Sequence, residues 1–108
     1  MRHYELVFVL KPTLSEEELN GRVEAIQNLI KENQGEIYNF EKWGRKNLAY
    51  PIQKFNSGYY YLINYKTANN KLPGILEYNL RINEDVIRFL NMKIHVPKAS
   101  QQENKEVA

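Results

Sequence analysis

Apolar and polar residues alternate over residues 2–11, RHYELVFVLK, so that Tyr4, Leu6, Phe8 and Leu10 share one face of a first strand, which Pro12 ends. SEEE at 15–18 changes the period. Ser15 can cap a helix with its hydroxyl while Glu18 reaches back to the free amide, and an acidic first turn suits the positive end of the helix dipole. Leu19, Val23, Ile26 and Ile30 follow at helical spacing as one apolar stripe that closes at Gly35, which predicts a helix over 15–33.

Residues 36–52 read as extended, yet Ile37, Phe40 and Trp43 are spaced by three, which a regular strand cannot place on one face. A bulge near Phe40 or Gly44 reconciles them. FNSG at 55–58 is turn chemistry and 59–67 a third strand, so a long hairpin is expected. A second helix is expected over 70–80, with Asn69 or Asn70 as cap, Pro73 in the first turn, and Leu72, Ile75, Leu76 and Leu80 facing inward. A last strand over 85–96 is ended by Pro97, and residues 97–108 form a flexible polar tail.

The order β-α-β-β-α-β, with right-handed crossovers, describes an α+β ferredoxin-like sandwich: a four-stranded antiparallel sheet with two helices on one face. One domain, 1–96, holds the fold. The opposite face of the sheet is left open, and function in this architecture is usually found there, although the fold itself hosts many functions.

Composition adds bounds. A chain of 108 residues supports a single core, and 43% hydrophobic with 26% charged residues is the balance of an ordinary folded domain. With no cysteine there is no disulfide framework, thiolate zinc site or thiol nucleophile, which points to a reducing compartment. The longest apolar run, Leu6–Leu10, is too short to cross a bilayer, and the start lacks a secretory pattern, so a cytoplasmic protein without a membrane partner is expected.

Net charge is only +2, but it is unevenly placed. From Lys42 to Leu76 there is no Asp or Glu, while Lys42, Arg45, Lys46, Lys54, Lys66 and Lys71 supply cations. The middle of the chain is where an anionic partner would bind.

SGYYYLINY, 57–65, falls on the third strand, where RNA-recognition modules carry a basic-Gly-aromatic signature. Gly58, Tyr59, Tyr61 and Leu62 fit it, but Ser57 stands where a basic residue belongs, Tyr60 where a small one does, and Tyr65 is one position late. By parity Tyr59, Tyr61, Ile63 and Tyr65 face the helices, leaving Tyr60 and Lys66 on the open face, a thin platform for base stacking.

Enzymatic readings find little. An acylphosphatase-like site needs an anion cradle after the first strand, but that loop, LKPTLSEEE, has no glycine and three glutamates. His3 and His95 lack metal-ligand spacing, no nucleophile has a base, and neither a cofactor nor a metal is called for. A small-ligand regulatory domain of the same topology stays open, since its ligand loops carry little signature.

WGRKNLAYPI at 43–52 narrows the choice. Gly, a variable residue, a basic and a polar residue, then Leu-Ala-Tyr-x-Ile in a bulged second strand resembles the motif of the bacterial small-subunit ribosomal protein six family. MRHYELVFVLKP and RINEDVIRFLNMK resemble that family's first and last segments, and the likeness spans residues 1–96 in order; Gln53 departs from it, where a basic or small polar residue is more usual. The resemblance implies a non-enzymatic structural protein of the small ribosomal subunit, with no small-molecule substrate. It would pair with small-subunit ribosomal protein eighteen and bind with it to the central domain of small-subunit ribosomal RNA.

Carried over by position, the resemblance makes Trp43, Arg45, Lys46, Asn47, Leu48, Tyr50 and Ile52 the partner-facing set. For RNA the candidates are Arg2, His3 and Tyr4 at the chain start with Arg88 and Lys93 on the last strand, and Tyr60 as a further contact.

Overall fold

A computed structural model describes residues 1–95; the expected end of the last strand at Val96, its stop at Pro97 and the tail over 97–108 lie outside the described residues. The elements run β1 (Arg2–Leu10), α1 (Glu16–Glu32), β2 (Gly35–Ile52), β3 (Phe55–Thr67), α2 (Leu72–Ile82) and β4 (Val86–Ile94). They form one antiparallel sheet in the order β2-β3-β1-β4, as the expected topology requires.

The amphipathic patterns place the core. Tyr4, Leu6, Phe8 and Leu10 of β1 and Tyr61, Ile63 and Tyr65 of β3 are buried beneath Leu19, Val23, Ile26 and Ile30 of α1 and Leu72, Leu76 and Leu80 of α2. The odd-numbered tyrosines of β3 are therefore packing residues. Two of them stack across the strand pair, Tyr4 on Tyr65 at 5.2 Å and Phe8 on Tyr61 at 5.3 Å, each nearly parallel.

Helix α1 begins with the expected capping box: the Glu18 N–H donates to Ser15 Oγ (3.2 Å) and the Ser15 N–H to Glu18 Oε1 (2.9 Å). At its other end the left-handed residue is Gln34 (φ 65°), not Gly35. Gly35 is required for space instead, because a Cβ there would collide with Ile30 Cγ2 and lie 2.7 Å from Leu72 Cδ2.

Three local expectations need correcting. The hairpin turn is Gln53–Lys54, both at positive φ (50° and 70°), and FNSG belongs to β3; the pairing breaks between Asn47 and Ile52, and Ile52 then pairs with Phe55 across a two-residue turn of the primed kind. Helix α2 starts at Leu72 with Lys71 as its cap residue and no side-chain cap bond. Asn69 accepts the Lys71 N–H (3.1 Å) just before the helix and donates to Asn33 O (3.0 Å), so it ties the loop to the end of α1. The third concerns Trp43. Strand β2 slips register between Ile37 and Asn39 and again between Lys42 and Gly44. The first slip, at Tyr38, brings Ile37 and Phe40 to the helix side opposite Tyr65 and Ile63, and regular alternation from there carries Trp43, like Glu41, to the open face.

Candidate functional site

The second slip in β2 brings Lys46 onto the face of Trp43 and completes the most conspicuous surface feature. Trp43 lies nearly parallel to Tyr60, ring centroids 6.4 Å apart, and Lys46 Nζ stands 5.6 Å from the indole centroid. Trp43 remains 40% exposed and Tyr50 67% exposed. Leu48, Ala49, Tyr50 and Ile52 border a small hollow of about 120 Å³ together with Tyr60 of β3 and Arg88 of β4. Thus the hairpin carries large rings that its own fold does not bury, with two cations beside them. Exposed aromatic anchors next to Lys and Arg are what protein interfaces use.

Of the candidate partner set, Trp43 and Lys46 sit together on the open face, and Leu48, Tyr50 and Ile52 continue the surface toward the turn. Asn47 is exposed opposite Ser57. Arg45 points to the helix side, where its Nε donates to the buried Ser57 hydroxyl (3.2 Å).

The RNA candidates do not form one patch. Strand pairing sets Arg2 and Lys93 as diagonal neighbours on the helix side at one end of the sheet, while His3 lies on the open face opposite Lys66. Arg88 is also on the open face, near the opposite end and beside the hairpin. Tyr4 must be corrected. Its ring is 9% exposed and stacked on Tyr65, because residue 4 shares the parity of Leu6 and Phe8, so it has no free face for a base. Tyr60, the further candidate, is covered on one side by Trp43. His3 Nδ1 lies 3.2 Å from the Tyr38 hydroxyl. Partial burial, then Lys66 and the N-terminal charge, hold its pKa below the usual imidazole range, so it is neutral at neutral pH.

A polar ladder on the open face had almost no signal in the sequence. Asn39 Nδ2 donates to Asn64 Oδ1 (2.9 Å) and to Glu41 Oε2 (3.0 Å), the Trp43 indole N–H donates to Glu41 Oε1 (2.8 Å), and Asn64 Nδ2 reaches Glu5 Oε1 at 3.5 Å. The bonds from Trp43 and Asn39 lower the Glu41 carboxyl below its ordinary range. These carboxylates and carboxamides thus cross β1, β3 and β2 and fix the Trp43 ring. Only the parity of Glu5 and Asn64 hinted at it, since the slip at Tyr38 sets the register of Asn39 and Glu41.

Among the described residues no group of His, Asp or Glu is arranged to hold a metal ion, and no helix is long and apolar enough to cross a membrane.

A family profile described as Ribosomal protein S6 matches residues 3–93. The chain is 52% identical over 94 residues to "Small ribosomal subunit protein bS6" of Aquifex aeolicus, covering 87% of this chain and 86% of that one. The protein of the same name from Clostridium novyi is 47% identical over 90 residues, covering 83% and 94%. The crystal structure of 30S ribosomal protein S6 from Thermotoga maritima superposes with a TM-score of 0.83 at 30% identity, covering 99% of this chain and 98% of that chain.

Proposed function

The chain belongs to the ribosomal protein S6 family, and from that membership we propose that it binds the central domain of small-subunit ribosomal RNA together with small-subunit ribosomal protein eighteen. The family is a structural, non-enzymatic component of the small ribosomal subunit, which works in the bacterial cytoplasm.

The observation that supports a protein co-binder is the uncovered hairpin surface, in which Tyr50 is 67% exposed and Trp43 is held in place by Tyr60, Lys46 and Glu41. A preset aromatic ring loses little freedom on docking. Truncation of Trp43 or Tyr50 to alanine is therefore expected to weaken association with protein eighteen by more than about tenfold each, the range of a central interface anchor. Unchanged association in both variants would remove the hairpin from the interface.

RNA affinity in this reading comes from phosphate contacts. Arg2 and Lys93 supply charge at one end of the sheet and Arg88 beside the hairpin, while neutral His3 contributes a hydrogen bond only. Three dispersed cations on a chain of net charge +2 give a shallow counterion-release term, so a basic partner is needed for tight binding. The test is binding to a central-domain RNA fragment over a salt series, with and without protein eighteen. Tight binding only with the partner, falling steeply as salt rises, is expected; no binding in either case, with both proteins folded, would refute the reading.

A further inference from the structure

On the helix side of the sheet, across from the hairpin surface, α1 and β2 leave a cleft of about 440 Å³ between them. Phe40 and Tyr61 form its aromatic side, and Phe40 is 40% exposed. The two rings are nearly parallel, 6.2 Å between centroids. Lys42 flanks the cleft from β2 and Lys31 from α1, so cations stand on both walls. Helix α1 adds the carboxamides of Asn20, Gln27 and Asn28 and the carboxylate of Glu24.

Two observations set this cleft apart. Tyr61 is 1% exposed, and its hydroxyl is the one buried side-chain polar atom among the described residues with no hydrogen-bond partner. Burial, with a contribution from Tyr59, raises its pKa, so the phenol stays a donor at neutral pH. A buried donor without an acceptor is unfavourable and calls for an explanation in a native fold. Second, none of the ion pairs among the described residues uses Lys31, Lys42 or Glu24, although Lys11, Arg22 and Lys66 are all paired. The charged groups of the cleft are therefore available to a ligand.

We propose that this cleft is a nucleotide-binding site taking one nucleoside monophosphate unit, either free or extruded from single-stranded RNA. The base packs on the exposed part of Phe40, as bases do on aromatic platforms, and a carbonyl or ring nitrogen at its edge accepts from the Tyr61 hydroxyl. The carboxamides pair with the remaining edge groups and Glu24 accepts from an exocyclic amine or a ribose hydroxyl. Glu24 also repels the phosphate, which is left to Lys31 and Lys42. The volume suits one such unit and excludes a longer segment. The site lies on the other side of the sheet from the protein-eighteen surface, so it stands or fails independently of the ribosomal reading.

The test is a titration of the full, isotopically labelled chain by NMR. One arm uses adenosine and uridine 5′-monophosphates with their nucleosides, and the other a short single-stranded oligouridylate or oligoadenylate. Shifts confined to residues 20–31, 40–42 and 61 are expected. Lys31→Ala with Lys42→Ala should weaken the monophosphate about tenfold or more and leave the nucleoside unchanged, the pattern of a phosphate contact. Tyr61→Phe should weaken both by roughly tenfold, about what one hydrogen bond to a buried donor is worth, while the unliganded protein melts no lower than wild type. Phe40→Ala, at a half-exposed position, checks stacking without reliance on Tyr61. Cleft shifts with the oligonucleotide alone would assign the RNA source, and shifts with the monophosphates would assign the free nucleotide. Absence of cleft shifts in both arms, or binding indifferent to Lys31, Lys42, Phe40 and Tyr61, would overturn the proposal.

Discussion

Replacing Asp85 by asparagine is expected to destabilise the fold by about 2 kcal/mol at neutral pH, far more than any other ion-pair change among the described residues. Asp85 joins three separate parts of the chain. Its carboxylate, 14% exposed, accepts from Lys11 Nζ at 3.0 Å just past the end of β1 and from Arg22 Nε on α1. Its own N–H is held by Asn83 Oδ1 (2.9 Å), and its carbonyl accepts from the Lys11 N–H (2.9 Å). Hydrogen bonds to charged groups contribute about 1.5–3 kcal/mol when shielded, while exposed pairs contribute about 0–1 kcal/mol. Here the acceptor is shielded and the cations are 29% and 40% exposed, so two bonds together fall between those limits. At roughly 4–8 °C per kcal/mol for a domain of this size, the thermal midpoint should drop by roughly 8–16 °C. The bonds from Arg22 and Lys11 lower the Asp85 pKa from its ordinary 3.8. The stabilisation is therefore complete above that value and is lost as pH falls through the lower folded-state value. Urea denaturation of wild type and variant at neutral and at strongly acidic pH measures both. Glu36→Gln is the control: Lys66 lies 3.8 Å from a carboxylate that is 64% exposed, and its loss should cost under about 0.5 kcal/mol. A D85N variant as stable as the control at neutral pH, or a gap that survives full protonation of Asp85, would refute the reasoning.

Gly58→Ala tests the packing beneath the hairpin, since the new Cβ would collide with Val9 Cγ1 and lie 3.1 Å from Leu10 O and 3.3 Å from Ile87 Cδ1. Val9 and Ile87 are buried and cannot swing to solvent, so a loss of about 1–3 kcal/mol is expected from denaturant unfolding, and a wild-type midpoint would show that β1 and β4 yield there. Tyr65 should ionise well above the ordinary phenol range in an absorbance titration, because burial pushes its pKa up to about 12 despite the bond to Asn91 at 3.1 Å. The unfolded chain loses this proton near the ordinary 10.0, so the associated stability is full below that pH and falls as pH rises through about 12; complete ionisation near pH 10 with the fold intact would contradict this. Lys46→Ala should release the Trp43 ring toward solvent and weaken partner association, whereas Arg45→Ala should mainly cost stability through its bond to Ser57; equal effects on association would contradict the division of the two cations between faces.

What was legible in the sequence was what period alone decides. The stripe Leu19, Val23, Ile26, Ile30 and the parity of Tyr59, Tyr61, Ile63 and Tyr65 fix which faces meet, and the structure buries all but Tyr59 of these, which is packed against the same core. Positions where the chain departs from regularity were read less well. The turn at Gln53–Lys54 contains no glycine, asparagine or aspartate to announce it, so the richer FNSG drew the assignment. The direction of Trp43 depends on the register slip at Tyr38, which exchanges faces, and no local residue preference locates it. Tyr4 is a candidate for its place at the chain start beside Arg2 and His3, yet its parity with Leu6 and Phe8 assigns it to the core. The Asp85 junction depends on contacts 63 residues apart in sequence, as with Arg22, and only the fold brings them together.

The polar ladder on the open face argues for how the two kinds of partner divide the surface. RNA-recognition modules lay bases across the middle of such a sheet. Here Glu5 and Glu41 occupy that middle, bonded through Asn64 and Asn39 and so held in place rather than free to turn aside. A phosphate chain crossing them would meet fixed negative charge on a face where Lys46 and Arg88 stand toward the hairpin and, at the other end, His3 is neutral and Lys66 is paired with Glu36 at 3.8 Å. The same carboxylates favour a basic protein segment, whose Lys or Arg side chains would pair with them while its apolar residues meet Trp43, Tyr50 and Ile52. Charge placement therefore favours the proposed division, a protein on the open face and nucleic acid at its ends, in which Arg2 and Lys93 would reach phosphate from the helix side. That proposed arrangement would let a chain of net charge +2 serve an RNA assembly: the cations need not dominate the molecule if the face between them is occupied by a partner that brings its own.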